Sequence, residues 1–293
     1  MNELTLKVAG LFLISCIGFI YGTLAKTHPK TIAELLIKVI SPVVVVISIV
    51  QSPADFSYLI FTPGAFLFCS ALCCLAWWLS INLFKGKERN LFSFTAGTGN
   101  TGYFALPIAL SLFDENQVAI AIFIIIGVNL YEFSVGYYIM NMNGSIREAL
   151  LKTSKLPVIH AAITGIVIKY AGISINENIL DVFNNFKGAY SVTGMLITGM
   201  VLSVNAKSKP DIKFLVVTLS WKHLLVPLIS CIFMFTPDEQ FSVIFLMALT
   251  PLAGNTVVFS SSLDLHPEKA ASAVLLSSLL SIVLIPVGMS LIM

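Results

Sequence analysis

The stretch Gly97-Thr98-Gly99-Asn100-Thr101-Gly102 places three glycines and three polar residues in the middle of an apolar segment. A related triplet, Gly254-Asn255-Thr256, follows Thr250-Pro251 in a second apolar segment about half a chain later. Such residues interrupt a helix, and the unwound backbone must then be buried or line a polar cavity. Glycine-kinked helices that pack closely through small residues are the alternative. The predicted helix-breaking residues are Gly97, Gly99, Pro107, Pro251 and Gly254.

The composition of the whole chain indicates an integral membrane protein. Of 293 residues, 57% are hydrophobic and 11% are charged, whereas soluble globular chains carry about 25% charged residues. Windows of ~19 residues give ten apolar segments, each a candidate span of the bilayer. We expect the first segment to remain as a span and not to be cleaved as a signal peptide. Spans 1 to 10 cover residues 4–24, 31–50, 65–84, 92–112, 117–140, 156–171, 189–203, 213–235, 241–262 and 270–291.

The two Gly-Asn-Thr triplets relate the two halves of the chain, because each is followed by a polar corner and an alanine-rich helix. Five spans per half is an odd number, so the halves must enter the membrane from opposite sides, as the inverted repeats of many secondary transporters do. The predicted fold is an all-α polytopic membrane protein with ten transmembrane helices. They form two inverted five-helix repeats, residues 1–145 and 146–293, with broken helices 4 and 9 that meet near the midplane.

The basic residues predict the orientation in the membrane. The connections after the odd-numbered spans carry twelve lysines and arginines, and the other side carries three. Positive residues accumulate on the cytoplasmic side, so we expect both termini to be extracytoplasmic in a multi-pass protein of the plasma membrane, the inner membrane in a bacterium. Residues 143–155 and 176–186 show apolar residues at helical spacing, which is typical of either interfacial helices or ordinary connectors.

The two broken spans contain no lysine, arginine, aspartate or glutamate. The second half of a broken helix begins with free N–H groups and roughly +0.5 of an elementary charge. Two such ends favour one carboxylate, and the side chains of Asn100, Thr101, Asn255 and Thr256 would add hydrogen bonds. We therefore expect a small organic anion as cargo and no tightly held cation.

Among the polar residues of the other spans, three are functional candidates. Glu132 in span 5 is either a proton carrier or a structural partner, because an intramembrane carboxylate is a functional candidate by default. Asn129, one turn earlier, is expected to face a polar cavity. Lys222 in span 8 is expected to extend its long stem towards the cytoplasmic interface.

Several functions do not fit this pattern. Gly97, Gly99 and Gly102 match G-x-G-x-x-G, but that dinucleotide motif requires a preceding β-strand. A net charge of +2 with no basic stripe argues against nucleic acid as a partner. The five cysteines fall in apolar runs, so we expect no disulfide, metal or other cofactor. No spacing assembles a catalytic set, and an enzyme is not expected; a passive channel stays open as an alternative.

The motifs resemble the auxin efflux carrier family, which includes plant PIN carriers and bacterial permeases for malate or malonate. The resemblance rests on three stretches: Gly99-Asn-Thr-Gly-Tyr-Phe-Ala-Leu-Pro107, Asn129-Leu-Tyr-Glu-Phe133, and Leu265-His-Pro267 with Ser272-Ala-Val274. The chain differs from plant members because Gly99 replaces a proline and span 3 carries neither an acidic nor a basic residue.

This resemblance implies a fold similar to bile-acid sodium symporters. Helices 1, 2, 6 and 7 would form a scaffold, and this scaffold would also provide the interface of a homodimer. Helices 3–5 and 8–10 would form a mobile transport domain, with helices 4 and 9 crossing at the site. The residues expected to bind substrate are Asn100, Thr101, Gly102, Asn129, Asn255, Thr256 and Val257.

Together these features predict a secondary transporter that moves a small carboxylate through the lipid bilayer by an elevator or rocking mechanism. The alternative is a sodium-coupled symporter of a neutral or amphipathic solute.

Overall fold

The computed structural model describes residues 3–25, 30–52, 56–141, 147, 151, 154–205 and 210–292. All regular secondary structure in these ranges is helical. Twelve helices are labelled in chain order: α1 (Glu3–Ala25), α2 (Lys30–Gln51), α3 (Ser57–Asn82), α4 (Gly86–Gly97), α5 (101–112), α6 (Glu115–Met140), α7 (Pro157–Tyr170), α8 (Glu177–Asn205), α9 (Ile212–Phe235), α10 (Asp238–Leu249), α11 (Asn255–Ser262) and α12 (Pro267–Ile292).

Five helices are long and apolar enough to cross a membrane. They are α2, α3, α6, α9 and α12, which correspond to predicted spans 2, 3, 5, 8 and 10. Spans 4 and 9 are each divided into two short helices, α4 with α5 and α10 with α11, as the glycine-rich stretches predict. Span 1 and span 6 correspond to the shorter apolar helices Ala9–Ala25 and Pro157–Tyr170.

The amphipathic segment 176–186 is not a separate helix, since Glu177–Asn205 is continuous and includes span 7. The helix continues through the polar residues of this segment because, apart from Gly188, residues 177–189 contain no helix breaker. The other amphipathic segment, 143–155, lies largely outside the described residues.

The helices pack in two groups. In the first, α1 lies along α8, α2 lies along α7, and α8 also contacts α2. In the second, α3 contacts α4 and α6, α10 contacts α6, and α12 contacts α9, α10 and α11. The groups meet where α5 contacts α1 and α8.

Glycines set the close approach of α1 and α8. A Cβ atom built on Gly199 would overlap the carbonyl oxygen of Ser15, and one on Gly18 would overlap that of Leu196. The Ser15 hydroxyl also donates to the Met195 carbonyl at 3.0 Å. Small residues allow backbones to approach in this way in membrane proteins.

Polar side chains hold the connections together at each end of the bundle. At one end Lys269 pairs with Glu88 at 2.6 Å and with Asp211 at 2.7 Å, and its bond to Asp211 holds the pKa of that carboxyl below its ordinary value. At the other end Lys169 donates to the Ser52 carbonyl and Lys187 to the Gln51 side chain, both at 2.7 Å.

The α1–α8 contact gives a first prediction. Gly199→Ala should lower the melting temperature in detergent, because overpacking costs about 1–3 kcal/mol and exceeds the gain of up to about 1 kcal/mol from helix propensity. Gly188→Ala in the same helix is the control, since a Cβ there meets nothing within 4 Å. Equal melting temperatures for the two variants would contradict the close approach.

Candidate substrate-binding site

The two helix interruptions meet inside the protein. Helix α4 ends at Gly97, residues 98–100 are not helical, and α5 begins at 101. Residues 250–254 separate α10 from α11 in the same way. The Asn100 N–H donates to the Pro251 carbonyl at 2.7 Å, which joins the two interruptions directly.

Other groups occupy the space that a side chain at position 99 would need. A Cβ atom there would lie 2.7 Å from the Thr250 hydroxyl oxygen and 3.1 Å from the Lys222 ammonium nitrogen. A larger residue at this position would require the side chains of Thr250 and Lys222 to shift.

Side chains of neighbouring helices bind the backbone carbonyls near the first interruption. Tyr131 donates its hydroxyl to the Phe94 carbonyl at 2.9 Å, and the Trp221 Nε1–H donates to the Ala96 carbonyl at 3.2 Å. Lys222 Nζ donates to the Thr98 carbonyl at 3.0 Å. These bonds replace helical ones, so the unwound segment is stable in an apolar interior.

The second interruption is held by serines of α12. Ser277 Oγ accepts the Leu252 N–H at 2.9 Å and lies 2.8 Å from His223 Nε2. The Ser281 hydroxyl donates to the Leu249 carbonyl at 3.0 Å. Two serines one turn apart on α12 therefore bind both sides of the unwound segment.

Glu132 connects the two interruptions. Its side chain is 2% exposed, one carboxylate oxygen accepts the Thr98 hydroxyl, and the other accepts Asn255 Nδ2–H at 2.6 Å. The structure therefore gives Glu132 partners at both interruptions.

The expectation that Lys222 reaches the cytoplasmic interface is wrong. Lys222 is 3% exposed and its ammonium group is bonded to Thr98 in the interior. The reason is that the interruption frees a carbonyl acceptor, that of Thr98, within 3.0 Å of the ammonium nitrogen on α9. The site accordingly contains an acid and a base, although the broken spans themselves supply neither.

Three π-helical turns position these groups. They are Thr101–Ala105, Glu132–Gly136 and Trp221–Leu225, and they contain Thr101, Glu132 and Lys222 respectively. Single π turns inside α-helices are rare overall, and those that occur are often found at functional sites.

A cavity of about 140 Å³ lies beside the meeting point of the interruptions. The amide side chains of Asn100 and Asn129 have no hydrogen-bond partner among the described residues, and both line this cavity as expected. Tyr190 of α8 forms part of its wall and donates to the Gly102 carbonyl at 3.1 Å. The predicted site residues that line the cavity are Asn100, Thr101, Gly102, Asn129, Glu132 and Asn255, together with Gly99 and Gly254.

Other predicted residues lie outside the cavity lining. Thr256 is fully buried, and its hydroxyl has no hydrogen-bond partner within the described ranges. Val257 packs against a hydrophobic cluster. Gly97 and Pro251 belong to the interruptions, whereas Pro107 follows the π turn of α5 and does not add another break.

Two comparisons with known proteins bear on this site. A family model described as membrane transport protein matches residues 4–149, a range that contains the interruption after α4 and Glu132. The chain is also 26% identical over 300 residues to an uncharacterized transporter of Methanocaldococcus jannaschii, with 97% of this chain and 96% of the relative covered.

The Glu132 contacts give a second prediction. Glu132→Leu should lower the free energy of unfolding by about 1–3 kcal/mol, because the Asn255 amide and the Thr98 hydroxyl lose their acceptors. Glu132→Gln, which keeps one acceptor oxygen, should lose less. Unfolding can be followed by thermal denaturation in detergent.

The control is Glu115→Leu in the exposed first turn of the same helix, which should change stability by less than about 1 kcal/mol. If Glu132→Leu were as stable as Glu115→Leu, the carboxylate would not be holding the two interruptions together.

Proposed function

We propose that this chain is a secondary transporter of a small organic anion, which its match to the membrane transport protein family over residues 4–149 and its similarity to a transporter support. The observation that carries the proposal is the direct bond between two interrupted helices, Asn100 N–H to Pro251 O, beside a small cavity that the Asn100 and Asn129 side chains line. Discontinuous helices whose unwound ends face a shared cavity are the usual binding site of secondary transporters.

We propose that the twelve helices form ten membrane spans in two inverted repeats, residues 1–145 and 146–293. The packing of the helices supports this. In such a repeat span 1 is equivalent to span 6 and span 2 to span 7, so a contact between spans 1 and 7 implies one between spans 6 and 2. Both contacts are present, because α1 packs on α8 and α2 packs on α7. The same relation exchanges the pair 3–5 with 8–10, and α3 contacts α6 as α9 contacts α12. The two breaks occupy equivalent places in spans 4 and 9.

The two packing groups correspond to a scaffold and a transport domain. The scaffold would be α1, α2, α7 and α8, and the transport domain would be α3–α6 and α9–α12. The cavity supports this division, because Tyr190 comes from the first group and Asn100, Asn129 and Glu132 from the second. Movement of one group past the other, by elevator or rocking motion, would then expose the cavity to each side in turn.

The chemistry of the cavity favours a small carboxylate. The amides of Asn100 and Asn129 offer N–H donors that no described residue uses, and about 140 Å³ admits only a small solute. Because these donors are neutral, they do not cancel the negative charge of the solute, and this charge crosses the membrane with it. A monoanion gains about 2.3 kcal/mol per 100 mV on leaving a negative-inside cell, so export needs no coupling ion whereas import does.

Glu132 is the proposed proton carrier for coupled transport. Its carboxylate accepts from both interruptions, so protonation would remove an acceptor from one of them and loosen their connection. In vesicles with a pH gradient, Glu132→Gln should abolish the dependence of flux on that gradient. Unchanged pH dependence in this variant would place the coupling elsewhere.

The cavity amides give a third prediction. Asn100→Ala and Asn129→Ala should each reduce malonate or malate flux in proteoliposomes by about tenfold or more, the equivalent of about 1.4 kcal/mol, because the substrate loses a donor. The control is Asn185→Ala on an exposed face of α8, where the side chain bonds only within its own helix. Full flux in the Asn100→Ala, Asn129→Ala double variant would contradict the site.

Coupling to sodium is the second candidate, and the buried carboxylate of Glu132 favours it, because carboxylate oxygens bind hard cations. The dependence of transport on membrane potential and on sodium distinguishes the two candidates. If a monoanion moves uncoupled, 100 mV across the vesicle membrane should support about a 50-fold concentration ratio, with or without sodium. Flux of a neutral solute that requires sodium at zero potential would instead support the symporter.

A further inference from the structure

A larger cavity of about 360 Å³ lies on the opposite side of the first interruption. It is bounded by α3, α4, α6, α9 and α10, and it shares only Gly99 and Thr101 with the smaller cavity. This volume is within the range of ordinary small-molecule sites, about 300–1,000 Å³.

The walls of this larger cavity are mostly apolar. Aromatic and aliphatic side chains from four helices, α3, α6, α9 and α10, face it, and its lining includes two exposed residues of α3, Ile60 and Gly64. Its apolar lining includes Phe61, Phe68, Leu72, Ile244 and Met247.

One charged group lines the cavity, the ammonium of Lys222. An ammonium has three hydrogen-bond donors, and among the described residues the single acceptor bonded to it is the Thr98 carbonyl. No carboxylate of the described residues lies within 4 Å of it, and the neighbouring carboxylate, Glu132, lines the smaller cavity. A buried charge without a close partner is strongly unfavourable.

We propose that the larger cavity binds a carboxylate with an apolar body, such as a medium-chain fatty acid. The carboxylate pairs with the free donors of Lys222, and the alkyl chain lies along α3 towards Ile60 and Gly64. Charge complementarity selects an anion, and the apolar walls select its hydrophobic body. This goes beyond the proposed function, because binding here does not depend on cargo in the smaller cavity.

The test is binding of labelled octanoate to the full chain in lipid nanodiscs, with empty nanodiscs as the blank. Saturable binding is expected for the parent protein, with octanol, which has the same body and no charge, competing at least tenfold more weakly. Malonate, which has the charge and no apolar body, should not compete.

Three variants localise the site. Lys222→Met should weaken octanoate binding at least tenfold, and Lys222→Arg should retain most of it. Gly64→Leu should also weaken binding, because a Cβ at Gly64 meets nothing within 4 Å and the leucine can extend into the cavity. Gly188→Leu is the matched control, being an exposed helical glycine with open space that lines neither cavity.

Loss of binding in Lys222→Met and Gly64→Leu, with retention in Gly188→Leu, supports the proposal. Binding that is not saturable, or that survives both changes, overturns it; so does octanol binding as tightly as octanoate. Because Gly64→Leu keeps Lys222, it still tests the site if Lys222→Met fails to fold. Asn100→Ala should leave octanoate binding intact, so failure of the transport proposal would be seen separately.

Discussion

The need to satisfy every backbone N–H and C=O group in an apolar interior determines the architecture of this protein. A helix meets that need by itself, whereas the interruptions after Gly97 and after Leu249 expose groups that no helix serves. The neighbouring helices therefore carry the missing partners, a tyrosine, a tryptophan, a lysine and two serines. Fold and site are thus one structure, because the side chains that stabilise the breaks also form the walls around them.

This arrangement separates two charges by a single residue of main chain. The hydroxyl of Thr98 donates to Glu132 and its carbonyl accepts from Lys222. Each charge lines a different cavity, so the unwound segment has an acidic side and a basic side. Both charges are thus bonded to one threonine, Glu132 to its hydroxyl and Lys222 to its carbonyl.

The local part of this structure was predictable from the sequence and the tertiary part was not. Glycine, asparagine and threonine weaken a helix where they stand, so the breaks near Gly99 and Gly254 follow from the chain itself, and the family resemblance drawn from the same motif is confirmed. The partners of the freed carbonyls depend on which helices lie beside the break. That explains why the prediction for Lys222 was wrong and why the roles of Glu132 and Trp221 at the break were missed. Polar residues inside otherwise apolar spans were the available signal.

The π-helical turn Glu132–Gly136 has a consequence for the register of α6. This helix is buried along most of its length by aliphatic residues from Val118 onwards, and a regular helix presents one fixed set of faces to its neighbours. The π turn holds one residue more than the α turn it replaces, which shifts all later residues by about 100° around the axis. A single extra residue therefore lets α6 pack its aliphatic residues against α3 before the turn and present a different face to its neighbours after it.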